Sequence, residues 1–136
     1  MKRLPGWRTR LNDCLEDMRR RPFQWGEHDC ALGLAAPCVA AMTGIDLGAE
    51  WRGRYATADE ARAVLAAAGH DDIGGLLASL FEEVPPAFAG HGDLATLPGE
   101  NEGLSIGVVT GAAVTVLGAR GLSQTSRLNI LRAFRV

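Results

Sequence analysis

A chain of 136 residues with net charge −2, 47% apolar and 22% charged, has the make-up of one globular domain and not of a disordered segment. That weak negative balance leaves no electrostatic footprint for nucleic acid or an anionic membrane, and the local basic runs, Arg19-Arg20-Arg21 and Arg52/Arg54, are too short to overturn it.

No apolar h-region follows Met1-Lys2-Arg3-Leu4-Pro5, so no signal peptide is expected. The longest apolar run, Cys30 to Met42, is short of a membrane span and contains Pro37. Three cysteines, Cys14, Cys30 and Cys38, are odd in number and lack a C-x-x-C spacing. They suggest neither a disulfide framework nor a zinc ribbon, and a reducing cytoplasm is the default setting. A single domain over residues 1–136 is expected, helical over 7–83 and β-rich over 92–136, with no cofactor and no metal site.

In chain order, Leu11, Cys14, Leu15 and Met18 recur at helical spacing within Trp7–Arg20, and Pro22 ends that amphipathic helix. Asp29 is placed to cap a second helix, Cys30–Thr43, apolar nearly all round and therefore central. Pro37 should kink it and Gly44 should terminate it. Ile45–Ala56 reads as a loop anchored by Trp51 and Tyr55. Thr57-x-x-Glu60 matches a capping box for a helix over Ala61–Ala68, and Asp71 or Asp72 starts another that runs to Phe81. Glu82/Glu83 read as a solvated edge before Val84-Pro85-Pro86. From Gly92 the period becomes that of strands: Asp93–Leu97, Leu104–Thr110, Ala113–Leu117, Leu122–Thr125 and Ile130–Val136, the second and third joined by a tight hairpin at Thr110-Gly111-Ala112. Helices followed by antiparallel strands define an α+β class.

Chemistry concentrates in Phe23-Gln24-Trp25-Gly26-Glu27-His28-Asp29-Cys30. A thiol opening a helix behind a capping Asp is positioned for a lowered pKa, which a nucleophilic Cys30 requires; the competing reading is a small buried hydrophobe. His28 is the nearest candidate base, paired with the thiolate, or else a loop histidine bonding the backbone. Gln24 could donate to an oxyanion, or be an ordinary exposed glutamine. Trp25 and Gly26 read as a buried indole and a turn. His91 reads as a surface loop residue and His70 as a helix-end cation. Cys14 and Cys38 read as core fillers. Gly74-Gly75 and Gly103-x-x-x-Gly107 lack the phosphate-loop pattern.

Phe23-x-Trp25-Gly26-x-x-Asp29-Cys30, with Gly92-Asp93-Leu94 and Leu104-Ser105-Ile106-Gly107-Val108-Val109-Thr110-Gly111 after it, resembles the NlpC/P60 cysteine peptidases over about Phe23 to Leu117. It is more specifically similar to small phage and prophage proteins with a Trp-Gly-x-His-Asp-Cys signature. The resemblance implies a papain-like fold with Cys30 at the head of the central helix, and a hydrolase cutting peptidoglycan peptides. It also implies departures. Ser105 stands where the family has its catalytic histidine, Phe23 stands where it has a tyrosine, and the residue orienting the histidine would lie near Thr115. Two readings follow. In one the scaffold has lost catalysis and serves as a tail-assembly or binding module, cytoplasmic or virion-associated, with phage tail proteins as partners. In the other Cys30 is an active nucleophile on peptidoglycan peptide.

Overall fold

Proline at position 37 decides how the central helix begins. It has no N–H to give Gly33, and its ring would crowd that carbonyl in a regular α-turn. In the computed structural model, which describes residues 2–99 and 103–136, the six residues Cys30–Ala35 are wound as a π-helix. This segment runs directly into α2 (Ala36–Thr43), with Pro37 in the first turn of α2. The wider turn is visible in the Leu34 N–H bond to Asp29 O (3.2 Å) and the Ala36 N–H bond to Ala31 O. The expected kink is thus taken up as a change of helix type one turn upstream. Gly44, at φ 82°, closes α2 as the sequence requires.

The other helices are α1 (Trp7–Met18), α3 (Ala58–Ala67) and α4 (Ile73–Leu80). Thr57 caps α3 by accepting from Glu60 N–H (3.1 Å), while the Glu60 carboxylate reaches back to Ala56 N–H (2.7 Å). The cap sets the start at Ala58, one turn before the expected Ala61. Asp72, not Asp71, caps α4 through Gly75 N–H (2.8 Å).

The strands are β1 (Glu82–Val84), β2 (Leu94–Pro98), β3 (Leu104–Thr110), β4 (Ala113–Gly118), β5 (Gly121–Ser126) and β6 (Arg132–Arg135). They form one antiparallel sheet in the order β1-β6-β2-β3-β4-β5. The α+β class holds, and Thr110 pairs with Ala113 across the expected hairpin, with Gly111 at φ 79°. Strand β1 is a correction, because Glu82/Glu83 are not only a solvated edge. Both side chains are solvated, yet their backbone pairs with β6, and Glu83 meets Arg132 (2.7 Å). Three residues with two acids carry too little alternation to reveal a strand.

Strand residues alternate between two cores. Leu94, Ile106, Val108 and Phe134 face the helices and pack with Leu11, Leu34, Met42 and Leu77. Ala95, Val109, Val114 and Ala133 face the opposite side, which is covered by Ala89 and Ile130 beside the short 3-10 turns Pro86–Phe88 and Arg127–Asn129. The π-helical segment lies across β3 and β4, bringing Cys30 to the first residues of β3.

The Gly92-Asp93-Leu94 motif has a structural role. Gly92 (φ 90°) donates to Val109 O (2.7 Å), and a Cβ there would stand 2.7 Å from the Met42 sulfur. The Asp93 carboxylate accepts from Gly90 N–H (2.8 Å), Val136 N–H (3.1 Å) and Arg3 (2.8 Å), joining both ends of the described chain to the start of β2.

Candidate functional site

The loop into the π-helical segment is a one-bridge hairpin. Gln24 N–H donates to His28 O (2.9 Å) and His28 N–H returns to Gln24 O (2.7 Å), with Gly26 at φ 79° in the turn. Only glycine fits at 26, since a Cβ would lie 2.0 Å from the carbonyl oxygen of Tyr55. Gly53 N–H bonds Gly26 O (3.0 Å), so the Ile45–Ala56 loop is stitched onto the hairpin.

Asp29 is the hub. Its extended backbone (φ −114°, ψ −171°) is that of an N-cap, and Oδ1 accepts from Ala31 N–H (3.0 Å) and Leu32 N–H (2.8 Å). Oδ2 accepts from Gly26 N–H (2.9 Å) and the Tyr55 hydroxyl (2.7 Å). Four donors satisfy a fully buried carboxylate. Burial and the Asp29 charge push the Tyr55 phenol well above its ordinary range. The sequence predicts Tyr55 only as a loop anchor. A buried aspartate at a helix head requires donors, but the sequence does not say which of the remote hydroxyls supplies one.

Cys30 is half-buried at the head of the π-helical segment, with the Ser105 hydroxyl and Ile106 backbone N–H of β3 beside its thiol. These two, with the backbone N–H of Cys30 itself, favour the thiolate. Burial opposes them and prevails, aided by the negative charge of Asp29, so the thiol is pushed up and not down. This reverses the expectation of an acidified thiol. The Ala31 and Leu32 amides at the helix head are engaged by the Asp29 carboxylate, which brings a like charge next to the sulfur.

His28 is 2% exposed, and neither imidazole nitrogen has a hydrogen-bond partner. Its ring lies against the helix at Gly33, where a Cβ would meet Nδ1 at 2.5 Å. Burial, with the Arg21 charge, holds its pKa below the ordinary histidine value, while Asp29 acts in the other direction. It therefore makes no hydrogen bond to Cys30, and its main chain, not its ring, closes the hairpin.

A cleft of about 1050 Å³ opens between the sheet and the α3–α4 wall. Phe23, Trp25, Asp29, Cys30 and Ser105 are among the residues that line it, and Leu65 and Leu76 contribute to its apolar wall. Trp25 is a correction. It is 38% exposed and packs edge-on to Phe23 (centroids 5.1 Å apart), because Gly26 turns the chain back before the indole can enter the core. Gln24 is exposed and lies off the cleft, its backbone spent on the hairpin, so it is not placed to serve an oxyanion there. Thr115 bonds Thr110 (2.9 Å) and makes no link to Cys30. His91 lies in the turn before β2, as expected of a loop histidine, and there it is half-buried, its ring tilted against Trp7 at 5.8 Å.

Among the described residues, no group of three His, Cys, Asp or Glu side chains could hold a metal ion, and no helix is long and apolar enough to cross a membrane. No curated protein matches the sequence. A family model does match, over residues 2–136 of the chain, a span that includes the whole of the π-helical site and the sheet behind it. The chain belongs to the DUF6950 family, described as a domain of unknown function.

Proposed function

We propose that this chain is a papain-like, NlpC/P60-type scaffold whose hydrolase machinery is degenerate, and that it acts as a phage or prophage tail-assembly or binding module. In this reading a partner segment occupies the cleft beside Cys30. One observation carries the reading. The thiol's polar neighbours are a serine hydroxyl, the backbone amides of Ile106 and of Cys30 itself, and a carboxylate, and burial pushes its pKa up. A hydroxyl does not accept a thiol proton near neutral pH as an imidazole does, so the usual activation of the nucleophile is missing.

A second reading keeps the enzyme: a thiol amidase or peptidase acting on peptidoglycan peptides. It is favoured by Cys30 lining an open cleft at a helix head. The pH dependence of Cys30 alkylation separates the two, measured on the wild-type chain with Cys30→Ser as control and peptidoglycan-peptide cleavage assayed in parallel. The binding-module reading expects slow alkylation with a midpoint above the free-thiol value of about 8.5, and no cleavage. Fast alkylation near neutral pH, or cleavage lost in Cys30→Ser, would overturn it. Ser105→Ala should slow alkylation further by removing a group that favours the thiolate, whereas Ser105→His should speed it.

A further inference from the structure

We propose that strand β5 is a self-association edge, on which a second copy of this chain pairs antiparallel about a two-fold axis, with Gln124 opposite its own equivalent. β5 closes the sheet order on one side and β1 on the other. The two edges are built differently. β1 has three residues, its Glu82 and Glu83 side chains are solvated, and Pro85 follows, so that edge is short, charged and unable to extend. β5 has six residues, Gly121-Leu122-Ser123-Gln124-Thr125-Ser126, with no charge and no proline among them. It carries none of the devices by which sheet edges are kept apart.

The hydrogen-bonding phase of β5 fixes the register. The two-residue turn Ala119-Arg120 makes Gly118 and Gly121 a bonded pair, and alternation then directs the main-chain N–H and C=O groups of Leu122, Gln124 and Ser126 away from β4. Among the described residues, none of these groups bonds elsewhere in the chain. A two-fold centred on Gln124 sets Leu122 opposite Ser126 on one face and Ser123 opposite Thr125 on the other. The outward groups of each copy then meet those of the other, and no like charges oppose each other. Self-pairing of β1 would instead bring glutamates together. Ser123, Gln124 and Ser126 are exposed, and Leu128, 94% exposed just past the strand, supplies apolar area at the rim of the pairing. The charge of Arg127 is spent within its own chain, where the guanidinium donates to Ala89 O and Gly111 O.

The test measures the mass of the full-length chain by sedimentation velocity over a concentration series. A monomer–dimer equilibrium is expected, with amide exchange at Leu122 and Gln124 slowing as the dimer forms. Gln124→Lys sets two like charges opposite each other across the axis, and so does Gln124→Glu; each should weaken dimerisation roughly tenfold or more. An equimolar mixture of the two variants should restore it, because the opposed charges are then of opposite sign. Gln124 is exposed, so both variants should melt with the wild-type chain. A chain that stays monomeric up to about 0.5 mM, a dimer indifferent to both substitutions, or a mixture that recovers no association would overturn the proposal. So would protection of these amides by an added extended peptide but not by a second copy of the chain.

Discussion

The Tyr55 hydroxyl donates to the buried carboxylate of Asp29 across 2.7 Å, tying a loop 26 residues downstream to the head of the central helix. Asp29 also holds Gly26, Ala31 and Leu32, so the residue that shapes the hairpin is the one that caps the helix. Tyr55→Phe removes one of four donors and should destabilise by about 1.5 kcal/mol. Asp29→Ala removes the cap and leaves two buried donors unpartnered, for about 3 kcal/mol. Urea unfolding of the three chains checks the ranking; equal losses would show that Tyr55, not Asp29, holds the site together.

Gly33 is required by the His28 ring and backbone, which a Cβ would approach at 2.5–2.8 Å. Gly33→Ala should therefore cost about 1–3 kcal/mol through overpacking, despite alanine's better helix propensity. Gly118→Ala, where a Cβ meets nothing within 4 Å, is the matched control and should lie within about 0.5 kcal/mol of wild type.

Acid should weaken the fold through two histidines. Burial holds the pKa of His28 and of His91 below the ordinary value, with Arg21 adding to the effect at the first, and Arg8 and Arg3 at the second. The unfolded chain therefore takes up protons first as pH falls through about 6.5, and stability drops from there until the folded values are passed. Denaturation midpoints between about pH 7.5 and 5.5 should show this loss, and His28→Asn and His91→Asn should each flatten part of it. At the alkaline end the sign is reversed. Cys30 and Tyr55 are pushed up, so the unfolded chain ionises first and stability falls as pH rises past the free-thiol range.

Arg3 should matter more than a residue near a chain end usually does. Its guanidinium donates to Asp93 (2.8 Å), His91 O (2.8 Å) and Val136 O (3.0 Å), and it stacks on Trp7 at 4.2 Å. Arg3→Ala leaves the buried Asp93 without its cation and should destabilise by about 2 kcal/mol. Arg3→Lys keeps the charge without the planar fork and should recover only part of that loss. A double cycle with Asp93→Asn, read by urea unfolding, should return a coupling energy well above that of the exposed Arg62–Asp59 pair.

Local rules were sufficient for much of this chain. The α+β class, the hairpin at Gly111, the Asp29 cap, the Gly44 terminator and four of the five expected strands within about a residue at each end follow from period, caps and turn residues, which act over a few neighbours. The fifth, read over Ile130–Val136, is a strand only over Arg132–Arg135, because Ile130 is the C-cap of the 3-10 turn Arg127–Asn129 and Leu131 is a bend between that turn and the strand. The sequence also pointed to Phe23–Cys30 as the stretch where chemistry-bearing side chains gather. Tertiary structure decided what those side chains meet. Strand β1 exists because β6, far along the chain, offers it a partner. Trp25 faces solvent because Gly26 must turn beneath Tyr55. The direction of the Cys30 pKa depends on burial against β3 and on the charge of Asp29 beside it. Such quantities are set by desolvation and by contacts between distant residues, and neither is encoded in the spacing of a motif.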